Sequence, residues 1–236
     1  MSEPIRPSTV LPAIRTPFSV TTEDGQTLVA EVSAPLANAT AAILCCHPNP
    51  KGGGMMDSHI YKKAANRLPA MAGITVVRFN TRGTTSEAGT STGSYDHGRS
   101  EKYDVEAMVR YCFDNLKLEK LWVVGWSFGT SIAISHARDP RIQGLILLSP
   151  TLLDIVEGDL EFWARDGRPL TALIPEHDDY LKPAEAQERF AVIPHINLIP
   201  VAGAKHLWVG EPMVHRVLSE ITKVVAPERL PLPTEL

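Results

Sequence analysis

The sequence predicts an α/β fold, with a mainly parallel, twisted sheet of eight strands and helices on both faces. Three observations predict it. Short apolar runs have the length of fully buried strands, amphipathic helical patterns separate most of these runs, and a hairpin signal precedes the first of them. Strands that alternate with helices form a mainly parallel sheet whose two faces are both covered.

The first element is a β-hairpin. Its two predicted strands, residues 16–22 and 26–34, flank Asp24-Gly25, a pair typical of a tight turn. In the second strand apolar residues alternate with more polar ones, as expected where one face is buried. Six buried strands follow and bring the sheet to eight: residues 41–46, 74–79, 121–126, 142–148, 170–174 and 196–201.

Two helices have the clearest amphipathic pattern. Apolar residues recur at intervals of three and four from Val105 to Leu116, and again from Val214 to Val225. Residues 130–136 are small and apolar and predict a third helix directly after the strand at 121–126. Helices at these positions would cover the faces of the sheet.

The 236 residues fit one domain, residues 1–236, better than two. Proline is frequent at both ends and cannot donate a backbone hydrogen bond, so we expect residues 1–14 and 227–236 to be extended tails. A stretch rich in Gly, Ser and Thr, residues 83–94, predicts a flexible loop.

Charge and composition exclude several classes of partner. The chain has 27 acidic and 23 basic residues and no run of Lys or Arg, so we expect neither nucleic acid nor an anionic membrane as a partner. No segment approaches 18 consecutive apolar residues and the first residues do not resemble a signal peptide, which predicts a cytoplasmic protein.

The three cysteines predict buried, reduced thiols. Two of them, Cys45 and Cys46, are adjacent in a predicted strand, where neighbouring side chains point to opposite faces.

We expect the protein to bind no metal and no cofactor, and to be either a monomer or a homodimer.

The pattern G-x-S-x-G occurs twice, at residues 89–93 and 125–129. A nucleophilic serine needs a sharp turn between a strand and a helix, with glycines where neighbouring elements approach closely. Ser127 lies between a predicted strand and a predicted helix, whereas Ser91 lies in the small-residue loop. We therefore predict Ser127 as a nucleophile and interpret Ser91 as a chance match. A structural serine in a tight turn is the alternative for Ser127.

A serine hydroxyl needs a base to take its proton and a carboxylate to orient that base. His206 directly follows the last predicted strand, at the edge where parallel strands place functional loops. The loop after the preceding strand contains Asp178, which we predict as the acid. Asp179 and Asp154 are the alternatives, and a solvated turn is the alternative for residues 177–179 as a whole.

These residues together resemble the α/β-hydrolase superfamily, in which a G-x-S-x-G serine, an acid and a histidine follow separate strands in that chain order. The chain is similar to small, lidless members of the dienelactone-hydrolase and esterase type. His47-Pro48-Asn49-Pro50 corresponds to their histidine-led loop after the third strand, and residues 78–83 correspond to the loop after the fourth. The second of these loops has Asn80 where many relatives have aspartate.

The resemblance implies an oxyanion hole built from two backbone N–H groups. One would come from Phe128, the residue after the nucleophile. The other would come from Asn49, because Pro48 and Pro50 have no N–H to donate. A loop that merely turns the chain is the alternative for residues 47–54.

The resemblance also implies a serine hydrolase, of carboxylesterase type, that cleaves small ester-like molecules through an acyl-enzyme. Only residues 149–169 separate the strand 142–148 from the next strand, so we expect no large lid and an open site. The same triad would serve a thioesterase, a peptidase or an acyltransferase. A non-catalytic interaction protein that keeps the fold is the alternative from another class.

Aromatic residues near the predicted site are candidate pocket walls. Each of them also suits a simple core position. The expected substrate contacts are Trp126, His47, Trp208 and Trp163, with Phe128 and Phe162 as further apolar walls.

Overall fold

The computed structural model describes residues 3–235, and strands alternate with helices along most of that length. The strands are β1 (Ile14–Thr21), β2 (Thr27–Ala34), β3 (Ala41–Cys46), β4 (Ile74–Phe79), β5 (Thr85–Ser86), β6 (Gly89–Thr90), β7 (Leu121–Trp126), β8 (Ile142–Leu148), β9 (Leu170–His177) and β10 (Asn197–Lys205). The α-helices are α1 (His59–Ala72), α2 (Glu101–Asp114), α3 (Phe128–His136), α4 (Asp159–Asp166), α5 (Pro183–Arg189) and α6 (Glu211–Val225).

Eight of these strands form one sheet in the order β1-β2-β4-β3-β7-β8-β9-β10. The β1–β2 and β2–β4 pairs are antiparallel, and the other neighbouring strands pair in parallel. The predicted α/β fold with a mainly parallel sheet of eight strands is therefore confirmed. Every parallel strand ends at the same edge of the sheet, and the loops at that edge carry the predicted site.

The sheet is covered on both faces by separate apolar layers. Leu44 and Cys46 belong to the layer that contains α2, α3 and α4 residues, whereas Ile43 and Cys45 belong to the layer beneath α1 and α6. Neighbouring side chains in a strand point to opposite faces, which explains why all six residues of β3 are buried. The three cysteines are free and buried, and burial raises the pKa of the Cys46 thiol to about 12.

Two strands are longer than the sequence predicts. β9 continues to His177 rather than ending at residue 174, and β10 continues to Lys205 rather than ending at residue 201, with an irregularity in its pairing between Val201 and Lys205. Asp178 and His206 therefore come directly after strand ends. The spacing of apolar residues also does not predict helix α1. Its Pro69 is unfavourable inside a helix.

The segment predicted as a flexible loop, residues 83–94, contains two short strands that the sequence did not predict. Residues 85–90 form the antiparallel hairpin β5–β6, and Ser91 is buried. The Ser91 hydroxyl donates to the carbonyl of Asn80 at 2.8 Å and accepts the N–H of Val29 at 2.9 Å. Small polar side chains replace missing backbone partners here, and so a segment of loop-like composition is ordered by its hydrogen bonds.

The predicted tails, residues 1–14 and 227–236, include residues 1, 2 and 236, which lie outside the described residues. Within the described part, the two ends meet: the N–H of Ile5 donates to the carbonyl of Thr234 at 2.9 Å, and Pro4 pairs with Glu235. Residues 227–229 form a short 3₁₀ helix. None of the helices in residues 3–235 combines the length and the apolar character that crossing a membrane requires.

Candidate active site

Ser127 occupies the sharp turn between β7 and α3. Its φ of 54° lies in the left-handed region, which a side chain other than glycine rarely adopts. Such strained residues cluster at functional sites. The turn directs the chain from the end of the central strand β7 into a helix within one residue, and leaves the side chain at the loop-bearing edge of the sheet.

The two glycines of the motif are required by close contacts between backbones. A Cβ on Gly129 would lie 1.9 Å from the carbonyl oxygen of Cys46, and a Cβ on Gly125 would lie 2.4 Å from the carbonyl oxygen of Gly129. The first turn of α3 therefore packs directly on the end of β3. This approach brings Ser127 next to the loop that follows β3.

The imidazole of His206 joins Ser127 to Asp178. Its Nε2 lies 2.9 Å from the Ser127 hydroxyl, and its Nδ1 lies 2.9 Å from the nearer carboxylate oxygen of Asp178. An ionised carboxylate only accepts hydrogen bonds, so Nδ1 carries the proton and Nε2 accepts from the serine. This is the arrangement in which a neutral imidazole can take the hydroxyl proton.

The Asp178 carboxylate is held by its own loop as well. One of its oxygens accepts the N–H groups of Tyr180 at 2.8 Å and Leu181 at 3.3 Å, and the residue is only 1% exposed. Ser127 and His206 are 9% and 8% exposed. Of the three hydrogen-bonded residues, Asp178 is therefore closed to water, while Ser127 and His206 retain some contact with solvent.

The other two candidate acids do not bond to His206. Asp179 is exposed beside Asp178. Asp154 is half-buried on the loop after β8, where burial raises the pKa of its carboxyl although His97 acts in the opposite direction. Of the three candidates, the structure brings only Asp178 to the imidazole.

His47 is fully buried and anchors the loop after β3. Its Nδ1–H donates to the carbonyl of Pro48 at 2.6 Å, and its Nε2 accepts the N–H of Thr81 at 3.0 Å. Burial lowers the pKa of His47 to about 4 although the carbonyl of Pro48 acts in the opposite direction. The expectation that His47 binds substrate is therefore corrected: its ring has no exposed surface and both of its nitrogens are occupied.

Two backbone N–H groups in the loops that follow β7 and β3 have no acceptor in the described part of the chain. Neither Phe128 nor Asn49 has an acceptor for its N–H within residues 3–235. Phe128 is the first residue of α3, where an amide normally lacks a partner inside the helix. The loop of Asn49 is brought close by the packing of Gly129 on Cys46 and His47. Both amides are available for an external acceptor.

The three tryptophans expected to line the pocket are buried instead. Trp126, Trp163 and Trp208 are 2%, 0% and 0% exposed. The indole N–H of Trp163 donates to the carbonyl of Ile134 at 2.8 Å, in the last turn of α3. These rings fill the layers against the sheet, where large apolar area is best placed, and so their assignment as substrate contacts is corrected. Phe162 packs on Trp163 rather than at the site.

Two tyrosines lie beside the site, where aromatic pocket walls were expected. The ring of Tyr180 is 4.7 Å from the ring of His206 and is 53% exposed. The ring of Tyr95 packs edge-on against Phe128 at 5.2 Å. Sequence reasoning missed both. The available signals were the position of Tyr180 two residues after Asp178, and a lone aromatic residue at the end of a small-residue segment.

A second cluster has the same residue types without the same geometry. Ser135, His136 and Asp159 line a cleft of about 430 Å³. The Ser135 hydroxyl donates directly to Asp159 at 2.5 Å, while His136 Nε2 donates to the carbonyl of Gly98. The histidine of this cluster therefore does not accept the Ser135 proton.

Comparison with known proteins agrees with this architecture. A family model described as the α/β-hydrolase fold matches residues 41–207. No curated protein sequence matches the chain.

Many solved structures share the fold. One is a lidless α/β serine hydrolase from Xanthomonas campestris, 23% identical, with a TM-score of 0.74 over 95% of this chain and 99% of that one. Another is an α/β serine hydrolase homologue from Coxiella burnetii, 24% identical, with a TM-score of 0.71 over 90% and 96% of the two chains. A third is an esterase from Pyrococcus furiosus, 19% identical, with a TM-score of 0.71 over 97% and 98%.

The matched residues begin with β3 and end just after His206, so they span the predicted nucleophile, acid and base. The chain belongs to the α/β-hydrolase fold family.

Proposed function

We propose that this protein is a serine hydrolase that cleaves small carboxylic esters through an acyl-enzyme. Ser127 is the nucleophile, His206 the general base and acid, and Asp178 the carboxylate that orients the imidazole. The observation that carries the proposal is the continuous hydrogen-bonded set in which His206 lies 2.9 Å from both Ser127 and Asp178.

In the acylation step, His206 Nε2 takes the proton of the Ser127 hydroxyl as Oγ forms a bond to the ester carbonyl carbon. The imidazolium that results is stabilised by Asp178, which keeps its negative charge. The tetrahedral intermediate collapses when the C–O bond to the alcohol breaks and His206 returns the proton to the departing alkoxide. The products of this half-reaction are the alcohol and an ester of Ser127.

Negative charge develops on the carbonyl oxygen in this step, and two preorganised donors would stabilise it. The free N–H groups of Phe128 and Asn49 support this role, since neither has an acceptor within residues 3–235. In deacylation a water molecule takes the place of the alcohol: His206 accepts its proton, the oxygen attacks the acyl carbon, and Ser127 leaves with the proton returned by His206.

A preference for small esters is supported by the shape of the site. The segment between β8 and β9 contains the short helix α4 and no larger insertion. Among the structural neighbours, one is described as a serine hydrolase without a lid and another as an esterase. A carboxylesterase-like activity on small soluble esters agrees with these features.

A fluorophosphonate probe tests the proposal. The probe reacts with a serine only when a base has activated it, so the wild-type protein should be labelled and Ser127→Ala should not. Ser91→Ala is the matched control because it alters the other G-x-S-x-G copy, and it should be labelled as the wild type is. Equal labelling of the wild type and Ser127→Ala would overturn the assignment, and hydrolysis of p-nitrophenyl acetate should be lost together with the labelling.

A further inference from the structure

The base must reach its serine across the ends of two strands. His206 follows β10 and Ser127 follows β7, and β8 and β9 lie between them in the sheet. With strands spaced at about 4.8 Å, three spacings amount to about 14 Å. The chain after β10 must therefore fold back over the sheet edge and be held there, because a free loop would not keep the imidazole at one position.

The carbonyl oxygen of His206 is held by two side-chain donors. The indole N–H of Trp126 donates to it at 3.2 Å, and the hydroxyl of Ser149 donates to it at 3.0 Å. Both donors are buried, with 2% and 0% of their surfaces exposed. Hydrogen bonds shielded from water in this way hold their geometry well.

The two donors are themselves fixed to the sheet. Trp126 is the last residue of β7 and immediately precedes Ser127, and its ring packs edge-on against His59 at 5.2 Å and Tyr61 at 6.1 Å. Ser149 directly follows β8, and its N–H donates to the carbonyl of Leu173 in β9 at 3.1 Å.

Ser149 also has an unusual backbone. Its φ of 48° lies in the left-handed region, a conformation that a serine adopts only when its surroundings enforce it. The carbonyl group of His206 is therefore bonded to Trp126, the residue before the nucleophile, and to Ser149, the residue after β8.

We infer that Ser149 and Trp126 are positioning residues, whose hydrogen bonds to the His206 carbonyl aim the imidazole at Ser127. This inference rests on the proposed function. Neither side chain is exposed, so neither contacts substrate, and both act through the backbone of His206. Trp126 was expected from the sequence to be a pocket wall; the structure gives its indole N–H this other role.

Two single variants, the double variant that combines them and two control variants test the inference. Ser149→Ala and Trp126→Phe each remove one donor and keep most of the packing. Ser131→Ala is the matched control for the first, because Ser131 is buried and its hydroxyl has no partner within residues 3–235. Trp163→Phe is the control for the second, because its indole N–H also donates to a backbone carbonyl but lies away from the site.

The readout is kcat and KM for p-nitrophenyl acetate, with kcat expressed per site labelled by the fluorophosphonate so that unfolded protein does not count. A misplaced base reduces the stabilisation of the transition state and leaves substrate binding unchanged. A displacement of about 1 Å can lower the rate about 100-fold. We expect kcat to fall about 10-fold in each single variant and about 100-fold in the double variant, with KM unchanged within about twofold. The controls should match the wild type.

Three outcomes are decisive. A fall in kcat with unchanged KM, absent from the controls, supports the positioning role. Values equal to those of the controls, or a rise in KM alone, overturn it while leaving the proposed function intact. Failure of the proposed function itself has a different signature, because the wild type and Ser127→Ala would then be labelled equally.

Discussion

The ring of His47 ties two loops of the site together: its Nε2 accepts the N–H of Thr81 at 3.0 Å while its Nδ1–H donates to the carbonyl of Pro48 at 2.6 Å. The first bond connects the loop after β3 with the loop after β4. The bond to Thr81 requires a neutral imidazole, because a protonated ring has no acceptor for the Thr81 N–H. The loop that contains Asn49 therefore depends on the protonation state of a buried histidine.

This dependence predicts a loss of stability in mild acid. Burial lowers the pKa of His47 to about 4 in the folded protein, whereas an unfolded histidine has a pKa of about 6.5. Between these values the unfolded chain binds the proton and the folded chain does not, so the contribution of His47 is complete above pH of about 6.5 and is lost as the pH falls towards 4. The free energy of unfolding should decrease by about 3 kcal/mol from this group alone.

Urea unfolding of the wild type and His47→Gln at pH values from 7.5 to 4.5 measures the effect. The wild type should lose its advantage over the variant as the pH falls, since every other titrating group is common to both proteins. His195→Gln, at an exposed position, controls for the removal of one histidine. A constant difference between wild type and His47→Gln across this range would contradict the prediction.

The identity of the acid can be tested by isosteric substitution. In Asp178→Asn the amide can no longer fix the Nδ1 proton of His206, so the imidazole loses the tautomer that accepts from Ser127, and kcat should fall about 10³- to 10⁴-fold. Asp179→Asn and Asp154→Asn should retain kcat within about threefold, because neither carboxyl bonds to His206. The assay is p-nitrophenyl acetate hydrolysis. A larger loss in Asp179→Asn or Asp154→Asn than in Asp178→Asn would reassign the acid.

Site residues that directly follow strands were predictable from the sequence. Whether an aromatic side chain faces a pocket or is covered by a helix was not. Ser127, Asp178 and His206 were selected because each follows an apolar run, and the common edge of a parallel sheet brings such positions together. The structure brings these three side chains within hydrogen-bonding distance. The periodicity of a strand gives the face on which a side chain lies, but a face towards a pocket and a face towards the core have the same apolar pattern.

That ambiguity explains the assignments of the tryptophans. Trp126 and Trp208 are adjacent to the site in sequence, yet helices α1 and α6 cover the layer in which they lie. Ser149 was also invisible to sequence reasoning, because its role depends on a carbonyl that belongs to a residue 57 positions later. Contacts of this kind are determined by the way the loop after β10 folds back, which no local pattern describes.

The close packing beneath Ser127 predicts that a single methyl group is not tolerated at Gly129. In Gly129→Ala the new Cβ would lie 1.9 Å from the carbonyl oxygen of Cys46. Backbone atoms of β3 would have to move, so we expect the free energy of unfolding to fall by about 3 kcal/mol or more. Gly52→Ala is the control, because nothing lies within 4 Å of its Cβ position. Thermal denaturation compares the two, and equal melting temperatures would contradict the prediction.

Arg82 connects three parts of the fold through a buried ion-pair network. Its guanidinium bonds to Asp24 at the hairpin turn and to Asp104 in α2, at 2.8 Å and 2.7 Å. Asp104 is fully buried, and burial raises the pKa of its carboxyl to about 6 although Arg82 acts in the opposite direction. Arg82→Met keeps the backbone N–H that donates to Asp104 at 2.8 Å but removes the cation beside this buried carboxyl, and we expect a loss of about 3 kcal/mol.

The matched control for Arg82 is Arg141→Met. Arg141 bonds to Asp139 and Asp114 with much of its side chain exposed, and its loss should cost much less stability than the loss of Arg82, because exposed ion pairs contribute little. The double variant Arg82→Met with Asp104→Leu should recover part of the stability, since no unpaired carboxyl remains in the interior. Urea unfolding measures all three, and similar losses in Arg82→Met and Arg141→Met would contradict the network's importance.

The length of the acyl chain should limit turnover. A methylene group gains about 0.8 kcal/mol only when it is buried, and the segment between β8 and β9 contains only the short helix α4, with no larger insertion to cover a long chain. The ring of Tyr180, a residue that is 53% exposed, lies 4.7 Å from the ring of His206 and is the aromatic surface next to the base. We therefore expect kcat/KM to be highest for p-nitrophenyl acetate or butyrate and to fall for the octanoate and dodecanoate, measured below the concentration at which these esters aggregate. A steady rise in kcat/KM up to the dodecanoate would show that the loops around Tyr180 open into an acyl channel and would contradict a site built for small esters.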